Sequence, residues 1–280
     1  MTEPGPSREL VGIVPAAGSA QRVSPLPCSK ELFPVGFRRM EGSGELRPKA
    51  AAHYLLERME AAGARKAYVV LGDGKWDIPA YFGDGAPVEM DLAYLVIRDS
   101  PGVAFSVDAA YPFVRDSIVV FGFPDIIYWP EDALSAVVER HRVSGADFVV
   151  AVVPTDRPEK NDLVELDEAG RIVRMEIKQP DSKLRYTWML AVWGSEFTKF
   201  LHEFVAEVGP EIVANGGLWQ GRELYPGDVL WAAIEHGLSH ETVVFDDGGY
   251  VDIGTPDELT HAVRLFGQSS PGSAESADSA

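Results

Sequence analysis

The sequence predicts an α/β fold: a mixed, mostly parallel sheet flanked by helices on both faces, with a β-rich insertion in the second half. Three observations carry this. Short β-branched runs alternate with helical segments through the first half of the chain. The second half then switches to closely spaced strand-like runs joined by a Gly-containing turn. At 280 residues and 46 % apolar content, the chain is long enough to bury a sizeable core.

The elements follow in order. Residues 10–14 form a β-branched run closed by Pro15 and a small-residue loop. Residues 53–59 read as helix, with Gly63 as the stop. Residues 67–71 and 92–97 read as strands, the first ending in Gly72-Asp73-Gly74. Residues 103–113 read as one helix and 117–121 as a strand. Residues 131–143 place Ala133, Ala136 and Val137 at helical spacing, and 147–153 is a further strand. Strands are then expected at 162–166, 172–177 and 186–193, with a turn at Glu168-Ala169-Gly170. Helices at 197–208 and 229–236, strands at 243–245 and 250–253, and a helix after Gly254-Thr255-Pro256 complete the chain. No repeat at a solenoid or propeller period is present. Residues 1–8 and 268–280 are Pro-, Gly- and Ser-containing and poor in large apolar side chains, so disorder is expected there and one folded unit at 9–267.

Composition excludes several classes. The formal net charge of −18 argues against non-specific nucleic-acid binding. A lone cysteine, Cys28, excludes an internal disulfide framework and a cysteine-built zinc site. The apolar runs are too short to span a bilayer, and the N-terminus has no basic segment followed by an apolar one, so a cytoplasmic location is expected. The six histidines show no metal-ligand spacing, and no Ser-His-Asp or Cys-His pattern stands out.

The first chemical signal is the loop after the first strand. Ala16, Ala17, Gly18, Ser19 and Ala20 are small, so backbone N–H groups there can approach a ligand closely. Gln21 and Arg22 follow, and Lys30 adds a second cation eight residues after Arg22. N–H donors beside Arg and Lys suit a triphosphate; a tight turn with two solvated cations is the plain alternative. The glycine spacing of a dinucleotide fingerprint is absent, and no Gly-Lys-Ser/Thr follows.

The order of residues resembles the signature of the sugar-1-phosphate nucleotidyltransferases, the sugar-nucleotide pyrophosphorylases. Pro15-Ala16-Ala17-Gly18-Ser19-Ala20-Gln21-Arg22-Val23-Ser24-Pro25, then Ser29-Lys30-Glu31-Leu32-Phe33-Pro34-Val35, carry it. Four further segments follow in family order: Ser100-Pro101-Gly102-Val103-Ala104, Val119-Val120-Phe121-Gly122-Phe123-Pro124-Asp125, Glu176-Ile177-Lys178-Gln179-Pro180, and Tyr250-Val251-Asp252-Ile253-Gly254-Thr255-Pro256. The short bacterial uridylyl- and thymidylyl-type members are the nearest in pattern.

The resemblance implies a Rossmann-like, nucleotidyltransferase/glycosyltransferase-A-like fold, with a nucleotide-binding half at 9–155 and a sugar-binding half at 156–267. It implies transfer of a nucleotidyl group from an NTP (UTP or dTTP) to a sugar 1-phosphate, with Mg²⁺ and no membrane or nucleic-acid partner, and leaves a homo-oligomer open. Arg22 and Lys30 would be catalytic. Ala16 to Gln21 and Gly102 would bind nucleotide. Asp125 and Asp252 would hold the metal, and Asp162, Glu176 and Lys178 would bind the sugar phosphate. Taken singly, Asp125 could be a helix cap, Asp252 a turn residue and Lys178 a solvated strand-end lysine.

This chain departs from the family pattern at named positions. Ala20 stands where Gly is usual, which requires φ to stay negative, and Gln21 where Thr is usual. Ile97 replaces a base-reading Gln, Asp162 a Gly, Ile177 separates Glu176 from Lys178, and Trp188 follows Thr187 where Gly is common. Asp162 and Glu176 would then contact hydroxyl or amino groups of an uncommon sugar. Two other readings stay open: a non-catalytic nucleotide- or sugar-phosphate-binding homologue, and nucleotidyl transfer to another phosphorylated alcohol. A glycosyltransferase is disfavoured, because no Asp-x-Asp follows residues 117–121.

Overall fold

The computed structural model describes residues 8–20, 22–40, 42–98 and 100–267. Residues 1–7 and 268–280, where disorder is expected, and Gln21, expected at the nucleotide, lie outside the described residues. The first strand, β1 (Leu10–Ala16), is parallel to β4 (Lys66–Gly72) on one side and to β6 (Ile118–Phe121) on the other. The edge beyond β4 is β5 (Asp91–Ile97), again parallel. β1, β4 and β6 are rich in β-branched residues and mostly buried, as strands of a parallel sheet under two helical layers require, whereas the edge strand β5 is only half-buried.

The sheet changes character at β11 (Tyr186–Trp193). One edge of β11 runs antiparallel along the whole of β8 (Phe148–Pro154), which pairs in parallel with β12 (His240–Val244). The other edge is shared. Its C-terminal residues Ala191–Trp193 pair with β6, whereas Tyr186 and Thr187 pair with β9 (Asp162–Leu166). β10 (Ile172–Ile177) extends β9. The strands therefore fork around Trp188 and Met189, where the β11 register also shifts. The C-terminal end of β6 and the N-terminal end of β9 face this fork.

One apolar cluster packs α1 (Ala51–Ala61) and α5 (Ala133–Ser144) on one face, around Leu55, Leu56, Met59, Leu134 and Val137. The other face carries α3 (Val103–Asp108), α6 (Ser195–Ala214) and α7 (Pro226–Glu235), around Phe121, Trp188, Trp193 and Phe197. A third cluster joins β2 (Pro34–Arg39) to the C-terminal α8 (Pro256–Gly267) through Val35, Ile253 and Ala262. Among the described residues no helix is long and apolar enough to cross a membrane.

The expected helix at 103–113 is two pieces, α3 and α4 (Tyr111–Val114). Pro112 has no N–H to donate and its ring opposes continuation, so the chain turns at Ala109–Ala110 and restarts with Pro in the first turn. Four further strands and α-helices carry no expectation above: β2 and β3 (Leu46–Ala50), which pair as a hairpin, α2 (Asp77–Phe82), and β7 (Ile126–Trp129). The last is the element that matters for the site, because it pairs antiparallel with β13 (Gly249–Asp252).

Candidate active site

A cavity of about 570 Å³ opens at the fork in the sheet. Its walls bring together Gly18, Ser19, Ala20, Arg22, Lys30, Asp125, Asp162, Lys178 and Asp252. Ala16, Ala17, Gly102 and Glu176 are expected at the ligands and do not line it.

The loop after β1 is shaped by contacts on both sides. Ala16 is the last strand residue and is buried, so it supports the loop from below. A Cβ on Gly72 would lie 2.6 Å from the Ala17 carbonyl oxygen, so glycine at the end of β4 lets the two strand ends close together. Ala20 has φ +53°, so the expectation of a negative φ is overturned. Its carbonyl accepts bonds from Val23 N at 3.1 Å, Ser24 N at 3.1 Å and Ser24 Oγ at 2.9 Å. Those three bonds hold an L-residue in the left-handed region at a cost of roughly 1–2 kcal/mol. Gly102, at the start of α3, instead lets the backbone approach Leu224, whose oxygen would be 3.0 Å from an added Cβ.

Two carboxylates converge because of strand register. Asp252 is paired with Ile126 in the β7–β13 ladder, and Ile253 N donates to the Asp125 carbonyl at 3.1 Å. Residues 127 apart in the chain are thereby placed side by side. Lys30, on a single 3₁₀ turn, donates to Asp125 Oδ2. Ser29 fixes that turn to α2 by donating N–H and Oγ–H to Asp77 at 2.6 and 2.7 Å. Burial pushes the Asp125 carboxyl up, but Lys30 and its hydrogen bond outweigh it and leave the pKa below the ordinary value. Burial likewise works against charge on Lys30, and Asp125 raises it in net. Asp252 lacks such a cation. Burial first, then the Asp125 and Glu258 carboxylates, push it up to about 6. One of its oxygens accepts Gly254 N–H at 2.7 Å. Arg22 also lines the cavity beside Gly254 and has no carboxylate partner among the described residues.

Beneath Lys30, Glu31 is 1 % exposed and takes Lys75 Nζ at 2.7 Å, while its second oxygen is buried without a partner. Burial raises its pKa and Lys75 only partly offsets this.

The second wall comes from β9, the end of β10 and the start of α7. Asp162 Oδ2 accepts Gly227 N–H at 2.9 Å, and Oδ1 is buried with no hydrogen-bond partner. Burial pushes Asp162 up to about 6, against the pull of Lys178. Lys178 Nζ lies 3.4 Å from the Tyr225 ring centroid. Burial lowers its pKa, with Asp162 opposing. Lys178 has φ +48°, stabilised by its N–H bond to Asn161 O at 2.9 Å.

That backbone conformation corrects the placement of Glu176. In a regular strand residues two apart share a face, so Glu176 and Lys178 would point the same way. The left-handed Lys178 breaks the alternation. Glu176 pairs with Arg174 and faces a neighbouring open cavity of about 750 Å³, away from Lys178.

Sequence reasoning missed Lys160, Asn161, Glu223 and Tyr225, all on the cavity wall. Lys160 is held by buried Glu258, which accepts Lys160 Nζ at 2.6 Å, Arg157 Nη1 at 2.8 Å and Thr255 Oγ1 at 2.7 Å. The Thr255-x-x-Glu258 spacing is a helix-start signal from which Glu258 could have been found. Tyr225-Pro226-Gly227-Asp228 is another, and Tyr225 with Asp228 forms the capping interaction of α7.

Residues 11–269 match the family model described as nucleotidyl transferase. The chain is 22 % identical over 259 residues to the low-salt glycan biosynthesis nucleotidyltransferase of Haloferax volcanii, covering 91 % of this chain and 66 % of that protein. It is 25 % identical over 261 residues to the glucose-1-phosphate thymidylyltransferase of Streptomyces antibioticus, covering 91 % and 65 %. The chain thus spans just under two thirds of the length of these curated relatives. Among solved structures, a Bacillus anthracis protein crystallised with sucrose superposes with a TM-score of 0.76 at 19 % identity, covering 94 % of this chain and 98 % of that one. The UTP-bound UGPase of Acinetobacter baumannii gives 0.73 at 16 % identity, covering 94 % and 95 %. These likenesses establish the fold, and the match over 11–269 places the chain in the nucleotidyl transferase family.

Proposed function

We propose that this chain transfers a nucleotidyl group from an NTP to a sugar 1-phosphate, releasing pyrophosphate and forming an NDP-sugar. The observation that carries this reading is one cavity holding Arg22, Lys30 and the Asp125–Asp252 pair together with Lys178. A phosphate oxygen of the acceptor forms a bond to the α-phosphorus of the NTP. The bond from that phosphorus to the bridging oxygen breaks, and its electrons leave with pyrophosphate. No proton needs to move, because the acceptor phosphate is already an anion at neutral pH. The protein's task is therefore positioning and charge stabilisation.

Arg22 and the loop from Gly18 to Ala20 would receive the triphosphate, Arg22 stabilising charge at the α-phosphate. Lys30 would hold the departing pyrophosphate, and Lys178 the acceptor phosphate. Asp125 and Asp252 fit a hard divalent cation: two half-buried carboxylates so close that Asp125 raises the pKa of its neighbour. Among the described residues no third His, Cys, Asp or Glu joins them, so phosphates and waters would complete the shell, as Mg²⁺ prefers. Bound there, Mg²⁺ would supply charge neutralisation at the phosphates. The names of the relatives support a pyrimidine NTP, UTP or dTTP. Residues 9–155 would form the nucleotide half and 156–267 the sugar half, with Asp252 crossing to the nucleotide side through the β7–β13 ladder.

The test is pyrophosphate release across four NTPs and a panel of sugar 1-phosphates with Mg²⁺. Turnover with at least one pair is expected. Measurable nucleotide binding without turnover for any pair would overturn the transfer reaction.

A further inference from the structure

The wall built by β9 and α7 carries charge that the reaction above does not use. Asp162 Oδ2 is satisfied by Gly227 N–H, but Oδ1 is buried and has no partner. Such an atom costs about 1–3 kcal/mol unless something donates to it. Glu223 lines the same wall, is exposed, and its carboxylate makes no ion pair among the described residues. Arg22, lining the same cavity, is assigned to the triphosphate, and the other nearby cations are already engaged. Arg222 grips Asp228 through two bonds of 2.7 and 2.6 Å, and Lys160 is held by Glu258. Lys178 remains, and the proposed reaction assigns it to the acceptor phosphate.

With Lys178 so engaged, the wall presents two carboxylates without a cation. A hydroxyl could donate to Asp162 and leave the charge in place. An ammonium donates and also neutralises it, and charge-assisted bonds are about twice as strong as neutral ones. An N-acylated amine loses that charge, and a uronic acid adds a like charge.

We propose that the acceptor of this site is an amino-sugar 1-phosphate with a free amine, its ammonium held by Asp162 with Glu223 alongside. This rests on the transfer reading above and names its substrate class.

Calorimetric titration of the full chain at pH 7 tests it, using sugar 1-phosphates in matched sets. Each set carries a free amine, a hydroxyl or an N-acetyl group at one ring position. At least one amino sugar should bind about tenfold or more tightly than its hydroxyl and N-acetyl counterparts. That ratio should fall to about one in Asp162→Asn, which keeps an oxygen for Gly227 N–H, and fall partway in Glu223→Gln at an exposed position. Equal or weaker binding of every amine overturns the proposal, as does discrimination that survives both substitutions or an absence of binding by all amino sugars. Pyrophosphate release measured on the same sets separates the two readings. An amine preference in binding without release sinks the transfer reaction and leaves the amine-binding site at Asp162 standing. Release from every sugar without a preference does the reverse.

Discussion

The two walls of the cavity solve different problems. The wall of β1, β6 and β13 gathers Arg22, Lys30, Asp125 and Asp252, and two of its charges already neutralise each other in the Lys30–Asp125 pair. The wall of β9 and α7 holds a carboxylate with an unpaired buried oxygen and a lysine resting on an aromatic ring. The first arrangement suits a phosphate chain, whose charge is the same for every substrate. The second is specific to its occupant, because an unsatisfied donor or acceptor rejects whatever cannot pair with it. On the proposed reaction, phosphate chemistry and substrate choice would be carried by separate strand ends.

The sharpest way to break that division is to remove the phosphate-wall carboxylates. Asp125→Asn and Asp252→Asn should each lower turnover by at least about a hundredfold, measured as pyrophosphate release, through lost charge stabilisation of the transition state. Asp125→Asn also leaves Lys30 without its partner, so its melting temperature must be measured alongside. Near-wild-type rates in both variants would show that other carboxylates do this work.

On the second wall the effect should be smaller and of a different kind. In the proposed reaction, Lys178→Gln removes one charged contact to the acceptor phosphate. It should raise KM for the sugar 1-phosphate by about tenfold while leaving KM for the NTP nearly unchanged. A rise in both constants would mean that Lys178 serves the nucleotide as well, and the walls would not be separate.

Legibility in the sequence follows the same division. The convergence of Arg22, Lys30, Asp125 and Asp252 on one cavity was readable because its signals are contiguous: a small-residue loop directly after a strand, two cations eight residues apart, and aspartates at strand ends. The substrate wall was not, because Lys160, Glu223 and Tyr225 come from connections without periodicity. Glu176 was expected at the sugar phosphate from a motif resemblance, which carries no sign of the left-handed turn at Lys178. In the fold, the parallel core was legible from its β-branched runs. The β2–β3 hairpin was hidden, because Arg38, Arg39, Arg47, Pro48 and Lys49 mask its alternation, and Pro112 cut a helix that the apolar spacing had joined.

The walls also differ in the sign of their pH dependence. Asp125 has a folded pKa below its unfolded value, so its stabilisation is present above about pH 4 and lost as pH falls further. Asp162 is shifted the other way, to about 6. Its stabilisation is complete below the unfolded value near 4 and is lost as pH rises through about 6. Between pH 5 and pH 8, then, Asp162→Asn should gain melting temperature relative to the parent chain, by several degrees at the upper end. Asp125→Asn should show no such trend across that window. Parallel melting curves for the two variants would erase the distinction.

The smallest expected effect concerns the loop itself. Ala20 holds φ +53° at the mouth of the phosphate wall, where a residue without Cβ would sit without strain. Ala20→Gly relieves the left-handed penalty of roughly 1–2 kcal/mol and gives back part of it through the greater freedom of glycine in the unfolded chain. The net should be a stabilisation of about 1 kcal/mol or less, read by denaturant unfolding. The three bonds to the Ala20 carbonyl are backbone and Ser24 contacts, so they survive the change. KM for the NTP should therefore stay within about twofold. A destabilised Ala20→Gly chain would mean that the methyl group packs against the loop strongly enough to outweigh its strain. A large change in NTP affinity alone would mean instead that the strained conformation is what holds the loop ready for the phosphates.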